Sequence, residues 1–227
     1  SLSAFPNIKC SSAGKLLKYI VKNAILPQSK YIYQSEKNEW VNFEDFKFSF
    51  AYLEGYFQSE NYFKKIRQQL LLDFQFSHLS VNNQKFIAHI QSQVNSVSIH
   101  VRRGDYLKPY VEAFHGLLNL EYYRTAIKEI EKRINNPHYY IFSDDPEWCR
   151  NNFSFLSASH TIVSNQTSKD WEDMCLMSNC KHNIIANSSY SWWAAWLNKN
   201  QDKLVIAPQK WFTDTTIKIV PKEWITL

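Results

Sequence analysis

Glycine is scarce, at four in 227 residues. That argues against an all-β protein rich in tight turns and leaves no Gly-rich dinucleotide loop. Four cysteines (Cys10, Cys149, Cys175, Cys180) are too few and too scattered for a disulfide framework or a zinc site, and read as buried, reduced thiols. No apolar run approaches the ~20 residues needed to span a bilayer, and no secretory leader is visible. No repeat or low-complexity tract appears. Sequons at Asn152, Asn165 and Asn187 read as accidental. The balance favours a soluble protein of a reducing compartment, the cytoplasm.

What is present is ordinary globular composition, 44% hydrophobic and 21% charged, enough for one large domain or two small ones. The net charge of +5 suits an anionic ligand without naming it. Basic residues among many aromatics can mark nucleic-acid binding. Here the Lys and Arg residues are spread along the chain and acidic residues accompany every candidate site, so no nucleic-acid partner is expected.

The spacing predicts helices over 15–25, 61–73 and 84–94, with an extended aromatic segment over 48–57. From Val97 the texture changes. Strands at 97–101, 138–142, 161–163, 183–186 and 204–207 alternate with helices near 119–133, 146–151, 169–178 and 189–198. That alternation implies βαβ units, a parallel sheet and an α/β class. The polar run Gln91-Ser92-Gln93 suggests a boundary near residue 95.

The densest segment is Val97-Ser98-Ile99-His100-Val101-Arg102-Arg103-Gly104-Asp105-Tyr106. A buried strand ends there in two arginines, at the end of the sheet where α/β domains hold ligands. Their planar forks suit phosphate, and the local reading is a diphosphate site. After the next strand, Asp145 and Pro146 read as a helix cap, while Ser143 and Asp144 face the same crevice as Arg102. Thr167 and Asp170 have capping-box spacing. Asp173 stands on another face of that helix, either as a solvated first-turn carboxylate or as part of a site. Ser188 and Ser189 open a helix after a short strand and read either as plain caps or as phosphate ligands. Trp192, Trp193 and Trp196 at helical spacing read as core rather than as a stacking surface.

His100-Val101-Arg102-Arg103-Gly104-Asp105-Tyr106 resembles the signature of the α-1,2-fucosyltransferases, shared in looser form by α-1,6- and protein O-fucosyltransferases. Further stretches are similar in the same order: 55–60, 114–116, 142–145, 170–174, 187–196 and 207–212. The resemblance covers about residues 53–213. It implies a GT-B-like pair of Rossmann-like domains, transfer of L-fucose from GDP-L-fucose to a galactose-terminated glycan acceptor, and no metal or other cofactor. It also implies that Arg102 holds the β-phosphate and that His100 lies near the guanine. Asp173 precedes Ser189 by 16 positions, similar to the guanine-binding carboxylate and phosphate-binding serine of the α-1,6 relatives.

On this basis the nucleotide-binding set is His100, Arg102, Arg103, Asp144, Asp173, Ser188 and Ser189. Arg103 could instead be structural, buried against Asp105 or the Asp144/Asp145 turn. Asp105 and Glu112 are the carboxylate candidates for the acceptor proton, beside Arg102 as the catalytic cation. Asp105 could also simply orient the arginines. His115 and Tyr106 are expected at the substrate. One departure stands out: the family's N-terminal Gly-Gly-Leu-Gly-Asn-Gln-like loop has no counterpart here. Either the chain is a fragment or its N-terminus has diverged, and the expected division is a partial, acceptor-side N-terminal domain (1–95), read as truncated, and a donor-binding domain (96–227). A lipid-linked acceptor would bring peripheral contact with the inner membrane.

Overall fold

The computed structural model describes residues 22–23, 29–34, 41–43, 50–164, 169–214 and 219–227. Cys10, Asn165, Thr167 and all but Lys22 and Asn23 of the helix expected at 15–25 lie outside them.

Two sheets are present among the described residues. In the smaller, β1 (Ser29–Tyr33) pairs in parallel with β2 (Phe50–Glu54). The larger has six parallel strands: β3 (Ser96–Val101), β4 (His138–Ser143), β5 (His160–Val163), β6 (His182–Ile184), β7 (Val205–Ala207) and β8 (Ile225–Thr226). Their order is β5-β4-β3-β6-β7-β8, so the chain winds outward from β3 to one edge, returns beside it, and winds to the other. This is the doubly wound, Rossmann-like order, with its switch point between β3 and β6.

β3 is central because every one of its residues is buried. A parallel strand covered on both faces has no solvent side. Val97, Ile99 and Val101 therefore alternate with Ser96, Ser98 and His100, which are buried as well. Val97, Ile99 and Val101 pack with α4 (Leu120–Glu131) and α5 (Pro146–Asn152), while Tyr140 and Phe142 of neighbouring β4 face the opposite cluster. In α4 the buried residues are Tyr123, Ala126, Ile127 and Ile130, a spacing that lines one helical face. Truncating Ile130, wholly buried, to alanine would cost about 2–5 kcal/mol.

The other face is covered by α2 (Val81–Ser92), α6 (Asp170–Ser178) and α7 (Ser189–Leu197). Although α2 precedes the expected boundary at residue 95, Phe86, Ile87 and Ile90 pack on Tyr140, Leu176 and Met177. Buried Glu172 of α6 ties down its start, accepting from Ser80 Oγ at 2.9 Å and from the Asn83 side-chain amide. Ser80 is also the N-cap, so the helix begins three residues earlier than the spacing predicts.

The helix expected at 61–73 is broken. Two 3-10 turns (Glu60–Tyr62 and Lys64–Ile66) precede α1 (Arg67–Asp73), and the break falls where Phe63 enters the cluster of Trp192, Trp193 and Trp196. Trp192 and Trp196 are therefore core, as read, with half-buried Trp193 packed against them. Arg67 and Lys203 close the C-terminal end of α7, donating to the carbonyls of Trp196 (2.6 Å) and Ala195 (2.7 Å) respectively. α3 (Pro109–His115) and β8 have no counterpart in the expected elements. Cys149, Cys175 and Cys180 are buried free thiols, and burial pushes all three up, Cys149 to about 11.

Candidate functional site

The β3–β4 register sets Val101 opposite Ser143, and the β3–β6 register sets Ile99 opposite Ile184. The segments that leave these three strands therefore meet at the carboxyl end of the sheet. They enclose a cleft of about 610 Å³ at the switch point. Its walls bring together His100, Arg102, Asp105, Tyr106, His115, Asp144, Asp173, Ser188 and Ser189 of the expected set.

Arg102 is held by two carboxylates, with Nη2 2.6 Å from Asp105 and Nη1 3.1 Å from Asp144. The other oxygen of Asp144 accepts the main-chain N–H of Arg103 at 2.9 Å. One aspartate thus fixes both the turn and the guanidinium it carries. Gly104 is required by the same contact, since a β-carbon there would lie 2.6 Å from Asp144 Oδ2. Arg103 points elsewhere: its guanidinium lies 4.0 Å from the Trp148 ring and its Nε is 3.4 Å from Asp145. Asp145 also caps α5 by accepting the Trp148 N–H at 3.0 Å. Arg103 does not line the cleft, and neither does Glu112, which stands exposed on α3.

On the opposite side of β3 the chain turns from β6 into α7 through Asn187, Ser188 and Ser189. Ser188 occupies the N-cap position, but its side chain makes no capping hydrogen bond. The turn is held instead by Asn187, whose amide donates to the carbonyls of His115 (2.8 Å), Gly116 (3.1 Å) and Trp211 (3.4 Å). Its sequon is thus engaged inside the fold. The Asn187 carbonyl accepts from Tyr106 at 3.0 Å. Tyr106 in turn stacks on His115 with centroids 4.8 Å apart. The N-terminus of α7, with its unpaired N–H groups and partial positive charge, faces the same cleft as Arg102.

Three buried side-chain polar atoms among the described residues lack a hydrogen-bond partner, and two belong to this cleft: Nδ1 of His100 and Nδ1 of His115. An unpaired buried group costs about 1–3 kcal/mol, so such atoms mark valences that a ligand can fill. Burial, with Arg102 nearby, pushes His100 down to about 3 and keeps its imidazole neutral. Burial also lowers His115, against the pull of Asp105.

Two cleft residues were not singled out from sequence. Tyr190 lies with its ring 5.4 Å from that of His100 and donates its hydroxyl to the Asp170 carbonyl. Burial, then Asp173 and Asp170, push that phenol well up, leaving it a neutral donor. Asp170 lines the cleft beside Asp173, one helical turn away on α6. Adjacency is the one sequence signal that bears on them: Tyr190 adjoins Ser189, and Asp170 stands at i−3 from Asp173. No group of three or more His, Cys, Asp and Glu among the described residues is arranged to hold a metal. None of their helices is long and apolar enough to cross a membrane.

Comparison with known proteins fits this geometry. The sequence profile of glycosyl transferase family 11 matches residues 9–227. An O-antigen biosynthesis glycosyltransferase, WbnK of Escherichia coli, is 36% identical over 216 residues, 92% of this chain and 69% of that protein. An α-1,2-colitosyltransferase of Escherichia coli is 37% identical over 180 residues, 76% of this chain and 61% of its own length. Human galactoside α-(1,2)-fucosyltransferase 1 is 27% identical over 171 residues, covering 70% of this chain and 47% of the human protein. The chain thus spans between about half and two thirds of the length of these relatives.

Proposed function

Because the chain belongs to glycosyl transferase family 11, we propose that it moves L-fucose from GDP-β-L-fucose to the 2-hydroxyl of a terminal galactose in a glycan. The observation that carries this reading is the convergence of Arg102, the N-terminus of α7 and Asp173 on one cleft at the switch point of a doubly wound sheet. Arg102, Ser188 and Ser189 take the diphosphate. Asp173 reads guanine, whose N1–H and N2–H are adjacent donors that adenine lacks, and His100 lies at the base edge.

The reaction is a single inverting displacement. The bond from C1 to the β-phosphate oxygen breaks, and that oxygen keeps the electron pair. Arg102 and the α7 N-terminus stabilise the growing charge, supplying what a metal supplies elsewhere. The acceptor O2 forms the new bond to C1. Its proton leaves to Asp105, the one of the two candidate carboxylates that lines the cleft. As Arg102 turns from Asp105 toward the phosphate, the Asp105 carboxylate is left free to accept that proton. The six-stranded unit then acts as donor domain, and the segment bearing β1 and β2 belongs to an acceptor-side domain of a GT-B-like pair. The reaction is cytoplasmic, with a lipid-linked acceptor drawing the enzyme to the inner membrane.

The test is incubation with GDP-L-fucose and galactose-terminated acceptors, with the product linkage read by NMR. An α-1,2 linkage is expected. A different linkage, or GDP binding without transfer, overturns the reading.

A further inference from the structure

Beside the nucleotide cleft lies a second, much smaller pocket of about 70 Å³. The two share Ser189, so whatever hangs from a phosphate held at the start of α7 reaches the small pocket directly. Its walls are largely apolar: Phe57, Phe63, Trp192, Trp193 and Ile219. The indole N–H of Trp192 is committed to the Ile219 carbonyl at 3.0 Å, and Ser59 Oγ accepts from Asn61 N at 3.3 Å.

The remaining wall is Tyr56, Gln58 and Ser59, which with Phe57 follow Gly55 in a stretch singled out in the sequence but unused by the nucleotide site. Its backbone is strained. Phe57 has φ +47, a left-handed conformation uncommon outside glycine, and its N–H donates to Gln34 Oε1 at 2.5 Å. Gly55 has φ +151, and a β-carbon there would meet Gln34 Cβ at 2.5 Å. Backbone strain of this kind collects where a side chain must be aimed; here it delivers Phe57 to the pocket.

We propose that this pocket holds the deoxygenated end of the transferred sugar, and that Phe57 and Trp193 select a 6-deoxyhexose over its 6-hydroxy counterpart. The inference rests on the donor reading above. The relatives' names supply the chemistry: fucose and colitose both carry a methyl group where L-galactose carries a hydroxymethyl. A methyl fits an apolar recess of this size. An added hydroxyl would leave water for walls with few groups able to receive it.

The experiment is a comparison of kcat/KM for GDP-L-fucose and GDP-L-galactose, with GDP affinity measured by calorimetry. An apolar pocket rejects an added hydroxyl by about 10²-fold, and that preference is expected of the wild-type chain. Phe57→Asn keeps a residue that tolerates the left-handed backbone but adds hydrogen-bonding groups. It should lower the preference below about tenfold while leaving GDP affinity unchanged, since GDP lacks the transferred hexose. Equal turnover of both donors by the wild-type chain overturns the proposal, as does an undiminished preference in a GDP-binding Phe57→Asn. Should that variant fail to bind GDP, the wild-type ratio alone decides. A wild-type chain that neither binds GDP nor transfers from either donor overturns the donor reading instead, and the inference falls with it.

Discussion

A β-carbon on Gly104 would stand 2.6 Å from Oδ2 of Asp144, the same oxygen that pairs with Arg102 at 3.1 Å. The glycine therefore sets where Arg102 points. Gly104→Ala should push the carboxylate aside, and a displacement of an ångström or so lowers transfer by about 10²-fold. Arg102→Ala removes the cation itself and should lower kcat by about 10²–10³-fold, as for a lost oxyanion donor. Steady-state kinetics with GDP-L-fucose check both. Near wild-type turnover in Arg102→Ala would sink the phosphate assignment.

Glu172 and Asp173 are neighbours in sequence with different duties. Glu172→Ala removes the acceptor shared by the buried Asn83 amide and the Ser80 hydroxyl and should lower stability by about 1–3 kcal/mol. Asp173→Asn should instead weaken GDP binding by about 10- to 100-fold, the worth of charge-assisted hydrogen bonds. Thermal unfolding and calorimetry on both variants separate the two. Identical behaviour of the pair would count against a base-reading role for Asp173.

His100 makes stability depend on pH. Folded, it takes up no proton until about pH 3; unfolded, it does so near 6.5. Between those values the unfolded chain binds more protons. The contribution of the neutral, buried ring is therefore full above pH 6.5 and lost as pH falls toward 3. At most this is roughly 5 kcal/mol. Thermal scans from pH 7.5 to 4 should show a shallower dependence in His100→Gln than in the parent. Equal slopes would mean that the ring is not held neutral.

The positive charge offered to the leaving diphosphate comes from Arg102 and the α7 N-terminus in this reading. EDTA should accordingly leave transfer unchanged. Activity lost with chelator and restored by a divalent cation would require a different account of how GDP departs.

Legibility in the sequence followed burial. Tyr123, Ala126, Ile127 and Ile130 announce α4 because all four face one core. The β-branched residues Val97, Ile99 and Val101 announce β3 as a strand, although the polar residues between them hide that both its faces are covered. α3 gave no such signal, since none of its residues is buried, and β8 is two residues held by pairing rather than by pattern. The site was legible where a residue ends a strand or opens a helix at the switch point, as Arg102, Asp144 and Ser188 do. Arg103 sits one position on, and its side chain leaves the cleft for Trp148. Asp170 was hidden by its reading as a capping-box residue, and Tyr190 has only its place beside Ser189 to set it apart.

The pairing of β3 has a consequence for the order of assembly. On one side it bonds to β4, which follows closely in the chain; on the other it bonds to β6, where Ser98 receives a hydrogen bond from Asn183, 85 residues away. Contacts of such separation form slowly, because the entropy of closing the loop is lost before the contact repays it. The wall carrying Arg102 and the wall carrying Ser189 therefore meet only when the two halves of the sheet dock. A chain severed between α5 and α6 would yield no half-strength nucleotide site in either piece, and GDP would stabilise only the finished sheet.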